Sequence, residues 1–270
     1  MALHQVFFTP DQFFVLALVF VFISGQAKEF LIDWTPLVLL ILTYEYFRGL
    51  IPLVNHHIHF NLMWRFDQLV FKQIPSVVLQ RLFYSPGHAH WYDYVAVILY
   101  LSHFIIPLIT GFIFWEIDRA YYREFAIAIV GLSYLTFLTY LIFPAAPPWL
   151  AAQQGIIPPV VHVTNLLLGH LFSYIPIFTV YRYVGVNLTA AVPSLHAAYP
   201  LLTALYIGKK FKRAIPILVI YVLAIWVAVM YLGEHYFFDV VLGAIYAAFI
   251  YVVIQRAKKY LIRRKAATAE

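Results

Sequence analysis

The sequence contains no cysteine and few charged residues. The absence of cysteine excludes a disulfide framework, a Cys-ligated zinc or iron–sulfur site and a thiol nucleophile, so any chemistry must come from His, Asp, Glu, Ser or Tyr. Only 11% of the 270 residues are charged, whereas soluble domains carry about a quarter. Hydrophobic residues make up 64% of the chain, and the mean hydropathy is +0.83. These values exclude an ordinary water-soluble domain and predict an integral membrane protein.

The chain also lacks a polar linker, a fixed-period repeat and a basic N-terminal region. Apolar runs recur from end to end, so we expect residues 1–270 to form a single membrane domain. The apolar stretch 6–24 has no Lys or Arg before Lys28. A cleavable signal peptide begins with a basic region, so we expect this stretch to remain in the mature fold.

Apolar segments long enough to span a bilayer predict an all-α polytopic membrane protein, because a spanning helix needs about 20 mainly apolar residues. The second segment carries Pro36 and Glu45 and is the weakest, so we predict six to seven transmembrane helices. The seven segments are 6–24, 34–50, 92–115, 124–143, 190–208, 214–232 and 236–255.

The positions of lysine and arginine predict the orientation, because cytoplasmic loops are enriched in positive charge. Ten of the eighteen basic residues lie in the loop 209–213 and the tail 256–265. We expect this face to be cytoplasmic and the turns 193–196 and 233–239 to face the opposite side. Residues 60–72 have helical apolar spacing with charges between, which predicts an amphipathic helix in the interface.

Three ionisable residues stand at the starts of apolar helices on that opposite face, where such groups are functional candidates by default. His196 follows a 46-residue loop, while His235 and Asp239 are separated by one helical turn. Asp239 can therefore orient the His235 imidazole, which makes His235 a nucleophile or a general base. His196 has no acid in its own motif and is better suited to donate a proton.

A nucleophilic histidine and an acidic histidine on one face are what phosphoryl transfer through a phosphohistidine requires. Pro193 before a helical run predicts a helix N-terminus near His196, whose free N–H groups would hold a phosphate. The alternative without catalysis is that each histidine forms a polar contact between helices. The order and common face of the three residues favour a catalytic site.

Two motifs resemble the type 2 phosphatidic acid phosphatase (PAP2) superfamily: Pro193-Ser194-Leu195-His196 and Gly233-Glu234-His235-Tyr236-Phe237-Phe238-Asp239. A third, Phe143-Pro144-Ala145-Ala146-Pro147-Pro148-Trp149, is similar to the Pro-Pro-Trp segment of the inositol phosphorylceramide synthase branch. The resemblance implies a PAP2-like helical core over about 90–256, preceded by N-terminal helices and an interfacial segment in 1–90. It implies His235 as nucleophile, Asp239 as its orienting carboxylate and His196 as the acid.

The basic residues of the PAP2 pattern are missing here. Ala228 and Val229 stand where the third motif has Ser-Arg, and no basic residue lies between Arg123 and Arg182. We expect Arg182 to bind the phosphate, with His162, His170 and the loop 51–91 as further candidates. The substrate-binding set that we predict is completed by residues of the two other motifs: Ser194, Pro147, Pro148 and Trp149.

The function that these residues predict is a membrane lipid phosphotransferase that moves a phospho-headgroup, such as phosphoinositol, between lipids. One alternative is a phosphatase that hydrolyses phosphatidic acid or polyprenyl phosphates. Another, from a different class, is a transporter with a histidine-lined site. We expect membrane lipids as partners, no nucleic acid and no cofactor, with the active site on the extracytoplasmic face.

Two further interpretations concern polar residues outside the proposed catalytic set. His56, His57 and His59, with His88 and His90, have spacing compatible with a metal site. No clear carboxylate or Cys partners accompany them, and we predict no metal. Glu234 is adjacent to His235, and neighbours on a helix point apart, so we expect Glu234 to be a solvated residue at the mouth of the site.

Overall fold

The computed structural model describes residues 21–23, 25–172 and 189–267, with side chains left undescribed at 169–172. These residues are almost entirely helical and contain no strand, only isolated β-bridges. The helices are α1 (Ala27–Val54), α2 (Asn61–Phe71), α3 (Pro75–Phe83), α4 (Trp91–Ile117), α5 (Arg119–Ile142), α6 (Pro148–Gln153), α7 (Val163–Phe172), α8 (Leu195–Lys210), α9 (Ile215–Tyr231) and α10 (Phe237–Ala267).

Five helices within the described residues are long and apolar enough to cross a membrane: α1, α4, α5, α9 with the short turn before it, and α10. The predicted all-α membrane fold is therefore confirmed. The weakest prediction, 34–50, corresponds to α1, which is longer than expected at 28 residues and contains Pro36. Nearly all of the first predicted segment, 6–24, lies outside the described residues.

Helix α8 is predicted as a span and has only 16 residues, yet it runs the length of the bundle. At one end, Tyr140 Oη of α5 donates to the carbonyl of Pro193, just before α8 begins, at 2.8 Å. At the other end, Tyr121 Oη of α5 donates to Tyr206 O at 2.8 Å. Helix α8 is thus antiparallel to α5, and it packs against α4, α9 and α10 as well. It is the central helix of the fold.

Apolar side chains divide into an aromatic-rich core and an exposed outer surface. The core around α1, α4 and α5 buries Trp34, Trp115, Tyr122 and Leu132 almost completely. Exposed leucine, isoleucine and valine side chains cover the outside of the spanning helices instead, as on α9. A soluble protein rarely exposes such a surface, and lipid tails are its natural solvent.

Polar contacts concentrate at the two ends of the bundle. At one end Lys210 pairs with Asp118 at 2.9 Å, and Lys258 pairs with Glu124 at 2.5 Å. At the other end the segments 55–90, 144–163, 189–196 and 232–239 meet, and we call this end the rim. The rim thus lies opposite the basic loop and tail, as the sequence predicted.

The amphipathic segment at the rim forms a helix, α2, as predicted for 60–72. Its Met63 and Asp67 are fully buried, whereas Leu62 and Leu69 are at least half exposed. Helix α3 follows directly and packs against α9, while α2 packs against α10. These two short helices contact the turn that carries His235 and the start of α10. That α2 lies in the membrane interface stays a prediction.

The backbone of helix α10 packs closely against the start of α8 at Gly243. A Cβ at Gly243 would lie 2.4 Å from Ser194 O, so backbone would have to move. We expect Gly243→Ala to lower the free energy of unfolding by about 1–3 kcal/mol, the usual effect of overpacking, and to separate the two motifs. Thermal unfolding measures the first effect and turnover the second.

Gly131 provides the matched control for this substitution. It also lies inside a spanning helix, but a Cβ there would meet only Ile250 Cδ1, at an ordinary 3.7 Å. Gly131→Ala is expected to leave stability unchanged or slightly raised, because alanine favours a helix over glycine. Equal stabilities of the two variants would contradict the close approach at Gly243.

Candidate active site

The two predicted histidines touch each other at the rim. His196 Nδ1 lies 2.8 Å from His235 Nε2, a hydrogen-bond distance. His196 belongs to the first turn of α8, and His235 lies in the turn between α9 and α10. Only 4% of His235 is exposed. The structure therefore brings together, across 39 residues of sequence, the pair that the motifs predicted to be co-facial.

The other ring nitrogen of His235 faces two acceptors. Nδ1 lies 3.1 Å from the carbonyl oxygen of Ala191 and 3.4 Å from Asp239 Oδ2. Both acceptors favour a proton on Nδ1, which leaves the Nε2 lone pair directed at His196. The Asp239 carboxylate is itself held, because Oδ2 accepts a hydrogen bond from Tyr236 N at 2.8 Å. This is the tautomer that a nucleophilic Nε2 requires.

A third histidine, His103 of α4, completes the cluster and was missed by the sequence analysis. Its ring centroid lies 4.0 Å from that of His196, and only 1% of it is exposed. Tyr100, one turn earlier on α4, stacks on the ring of His196, with ring centroids 4.4 Å apart. His103 Nδ1 also contacts Tyr100 O. The available signal was an ionisable side chain deep within an apolar helix.

Ser194 fixes the position of His196 from within the backbone. It is the N-cap of α8, and its Oγ accepts a hydrogen bond from Ala197 N at 3.2 Å. Its side chain is fully buried. Helix α8 begins at Leu195, after Pro193 and the Ser194 cap, so the helix N-terminus lies next to His196 as predicted. A role of Ser194 in substrate binding stays a prediction.

Helices α2 and α3 hold the His235 turn through side chains that the sequence analysis did not single out. The Asp67 carboxylate accepts hydrogen bonds from Phe237 N and Phe238 N, each at 2.9 Å, at the start of α10. Ser76 Oγ donates to His235 O at 3.1 Å. Gln80 Nε2 donates to Tyr231 O at 2.8 Å. The two short rim helices thus fix the position of the turn that carries His235.

Asp67 is a buried acid whose protonation matters near neutral pH. Burial raises its pKa to about 7, and the nearby charge of Asp239 acts in the same direction, although the two backbone N–H donors oppose both. In an unfolded chain the carboxyl titrates near 3.8. Between these values the folded protein holds a proton that the unfolded chain releases. This group's contribution to stability is therefore lost as the pH rises through that window.

The expected result is that the wild type loses stability relative to Asp67→Asn as the pH rises from about 5 to about 8. Asparagine does not titrate, so the difference in melting temperature between the two proteins isolates this carboxyl. Asp118→Asn is the control. The hydrogen bond from Lys210 lowers the pKa of Asp118, so its titration falls below this range. A wild-type difference from Asp67→Asn that stays constant with pH would contradict the prediction.

The Pro-Pro-Trp segment lies against the same turn. Helix α6 begins at Pro148 after the N-cap Pro147, and Trp149 N donates to Gly233 O at 3.2 Å. The Trp149 indole is buried and stacks on the imidazole of His162, with centroids 4.6 Å apart and planes within 2°. The structure thus joins this motif to the motif of His235. A direct contact of these residues with substrate stays a prediction.

Glu234 corrects one prediction. It was expected to be solvated, but only 13% of its side chain is exposed, and Oε1 lies 2.9 Å from His162 Nε2. Burial raises the pKa of Glu234, but the hydrogen bond and charge of His162 outweigh burial and hold it below its usual range. The prediction was wrong because α10 begins only at Phe237, so the helical rule does not apply to Glu234.

Two other predictions have different outcomes. Arg182 and the side chain of His170 lie outside the described residues. Across the ranges that the structure describes, no group of three or more His, Asp or Glu residues is arranged to hold a metal. His57 and His59 do have rings 4.9 Å apart, but His59 stacks on Phe143. The expectations of no metal and no cofactor stay predictions.

Comparison with known proteins places this geometry in context. Residues 54–253 match the family model of the PAP2 superfamily. The chain is 34% identical to the phosphoinositol dihydroceramide synthase of Bacteroides thetaiotaomicron, over 57% of this chain and 53% of that protein. It is 28% identical to the inositol phosphorylceramide synthase of Candida albicans, over 61% of this chain and 36% of that protein.

A third relative is the inositol phosphorylceramide synthase catalytic subunit of Saccharomyces cerevisiae. Its identity to the chain is 30%, over 43% of this chain and 29% of that protein. The matches thus span about half or less of the length of each of these relatives. No solved structure matches the chain.

Proposed function

Because the chain belongs to the PAP2 superfamily, we propose that it is a membrane lipid phosphotransferase that transfers a phosphoinositol headgroup between lipids. The observation that carries the proposal is the 2.8 Å contact between His196 Nδ1 and His235 Nε2 beside Asp239. The names of the relatives indicate the headgroup and a ceramide-type acceptor. Phosphatidylinositol carries this headgroup and releases diacylglycerol when the headgroup is transferred, so it is the donor that we propose.

In the first step, the donor phosphate displaces His196 Nδ1 from its 2.8 Å contact with His235 Nε2, and the freed lone pair of Nε2 attacks the phosphorus. The P–N bond forms as the bond from phosphorus to the diacylglycerol oxygen breaks, and the imidazolium form of His196 gives its Nδ1 proton to that oxygen. Diacylglycerol leaves, and phosphoinositol remains on His235. The ring of His235 then carries positive charge, which the Asp239 carboxylate 3.4 Å from Nδ1 stabilises.

The second step reverses the roles. The hydroxyl of the acceptor lipid attacks phosphorus, and the now neutral His196 takes the hydroxyl proton. The P–N bond breaks, and its electron pair returns to His235 Nε2. His196 ends protonated and His235 ends neutral, so one cycle restores the site and yields one diacylglycerol for each phosphorylated acceptor.

Burial of the site supports transfer rather than hydrolysis. His103 and His235 are nearly inaccessible, and the ring of Tyr100 covers His196. A water-poor site protects a reactive phosphoryl intermediate until an acceptor arrives. The apolar Ala228 and Val229 also fit a diester, which carries less negative charge than the monoester of a phosphatase substrate.

We further propose that residues 1–270 act as one membrane domain with its active site on the extracytoplasmic face. Hydrogen bonds tie Asp67, Ser76 and Gln80 of the N-terminal third to the catalytic turn, which argues against a separate N-terminal unit. The orientation rests on the positive residues at the end of the bundle opposite the rim.

The proposal is tested with purified protein in liposomes that contain phosphatidylinositol and a fluorescent ceramide. We expect a phosphoinositol-bearing ceramide and diacylglycerol in equal amounts. Release of free inositol phosphate instead would establish hydrolysis, and phosphatidic acid in a parallel reaction tests the phosphatase alternative directly. Lipid or ion flux across the liposome without any covalent product would support the transporter and overturn the proposal.

A further inference from the structure

A side-chain pair beside the catalytic turn takes no part in the reaction steps described above. Glu234 Oε1 accepts a hydrogen bond from His162 Nε2 at 2.9 Å. Other polar side chains at this turn, those of Asp67, Ser76 and Gln80, bind the backbone and hold it in place. The Glu234–His162 pair joins two side chains instead, so its role has to be sought in what these side chains offer to a substrate.

The surrounding structure holds the Glu234–His162 pair rigidly. Directly after His162, Val163 N donates to Leu232 O at 3.2 Å, two residues before Glu234. The His162 ring stacks flat on Trp149, so it cannot rotate without losing that contact. A pair that is fixed on both sides is preorganised, and a ligand that binds it loses little affinity to the ordering of side chains.

The pair lies next to the proposed nucleophile. Glu234 precedes His235 in the chain, and the trans peptide between them places their Cα atoms about 3.8 Å apart. Their backbone N–H groups donate to the same carbonyl oxygen, at 3.1 and 3.3 Å, so the turn is tight. Val163 is buried in an apolar cluster against which Tyr100 packs, and Tyr100 stacks on His196. The segment that follows the first member of the pair therefore packs beside the catalytic rings.

Both members of the pair keep acceptors open to a ligand. Because Nε2–H of His162 donates to the carboxylate, the neutral ring has its lone pair on Nδ1, which bonds to none of the described residues. The Glu234 carboxylate has about four lone-pair sites, and His162 occupies one of them. The two side chains are 26% and 13% exposed, so a ligand can reach them from the rim.

Thr164 adds a buried hydroxyl without a partner. Only 7% of this residue is exposed, yet its Oγ1 forms no hydrogen bond with any residue that the structure describes. The hydroxyl is turned towards the Glu234 carboxylate without meeting hydrogen-bond geometry, and together with His162 it lowers the pKa of that group. A buried polar atom of this kind costs free energy until a ligand or a water satisfies it.

We propose that Glu234, His162 and Thr164 bind the hydroxyl groups of the inositol headgroup and thereby select the donor lipid. This assignment rests on the proposed headgroup transfer and names the residues that determine its specificity. With the phosphorus on His235, the inositol ring is one oxygen away and lies beside the pair. Two adjacent acceptors match the O–H groups of neighbouring hydroxyls on one ring. A phosphate offers only acceptors and is repelled by the carboxylate, so His162 is assigned to the polyol and not to the phosphate.

The test compares two phosphate monoesters that differ only in the alcohol, myo-inositol 1-phosphate and methyl phosphate. Their binding to the purified protein is measured by thermal shift. We expect the wild type to bind inositol 1-phosphate at least about tenfold more tightly, and His162→Gln to lose this preference while it binds methyl phosphate unchanged. Glutamine can donate to Glu234 from the position of Nε2 but has no atom at the position of Nδ1. A glutamine variant that keeps the preference would show that His162 only holds Glu234, and would overturn the assignment.

Two buried threonines provide matched variants. Thr164→Val removes the hydroxyl beside Glu234 and is expected to weaken the binding of inositol 1-phosphate about three- to tenfold. Thr203 is likewise buried with an unpartnered hydroxyl, but it lies two turns of α8 beyond His196. Thr203→Val is expected to bind both phosphates as the wild type does. Equal affinities of the two valine variants for inositol 1-phosphate would contradict the role of Thr164.

The assignment and the proposed function fail in different ways, because binding of the two soluble phosphates requires no turnover. If phosphatidylinositol is turned over but the wild type binds inositol 1-phosphate no more tightly than methyl phosphate, the proposed function stands and the assignment is wrong. If the preference is found and is lost in His162→Gln while no phospholipid is turned over, the polyol site stands and the proposed function fails.

Discussion

Replacing His235 by alanine is expected to reduce headgroup transfer by at least about 10⁴-fold, the effect of removing a nucleophile from an otherwise intact site. Alanine leaves no atom to form the P–N bond, and the neighbouring His196 has its Nδ1 directed at the vacated position. Steady-state assays in liposomes measure the loss. Mass spectrometry of the acid-quenched wild type should locate phosphoinositol on His235 and find none in the variant.

His88→Ala is the control, because His88 is an exposed histidine of the rim segment with no contact to the catalytic turn among the described residues. It should keep wild-type activity. Retained turnover in His235→Ala, or a covalent label on His196 instead, would mean that the roles of the two imidazoles have been assigned the wrong way round or that no covalent intermediate forms.

Replacing His196 by alanine is expected to cost about 10³-fold with a natural donor, because the departing diacylglycerol alkoxide is a poor leaving group without a proton. A nitrophenyl phosphodiester leaves as a stable anion and needs no acid. With that substrate the same variant should lose far less in the first step. Release of nitrophenolate, followed by absorbance, provides the comparison.

His103→Gln is the matched variant for this experiment. His103 packs against the ring of His196 but is assigned no proton transfer, so its replacement should reduce both reactions by the same factor. A His196→Ala variant that is equally impaired on both donors would contradict its role as the acid and would leave it a purely structural ring.

Local spacing made the central part of this site predictable. His235 and Asp239 are four positions apart in the sequence, and that short separation places the carboxylate near Nδ1 although α10 starts only at Phe237. The apolar runs predicted the spanning helices for an equally local reason, the absence of water for the backbone in hydrocarbon. The alternation of basic and apolar segments predicted that His196 lies at the same end of the bundle as His235.

The remaining residues depend on contacts between distant parts of the chain. Asp67 meets Phe237 across 170 residues, and Gln80 meets Tyr231 across 151. Nothing in the residue spacing around Asp67 predicts that the start of α10 will pack against its carboxylate. His103 carried a signal of its own, since it is ionisable within an apolar helix, but the face that it presents to α8 follows only from how the helices pack.

Helix α10 carries Asp239 in its first turn and the basic tail at its other end. Its 31 residues extend for about 46 Å, well beyond the roughly 30 Å of a hydrocarbon layer. Its apolar part, 237–255, is only about 28 Å long and matches that layer, so a thinner or thicker bilayer should change the tilt of the helix and shift Asp239 near its end. We therefore expect lipids of different chain length to change the rate of the proposed phosphoryl transfer even where none of them is a reactant.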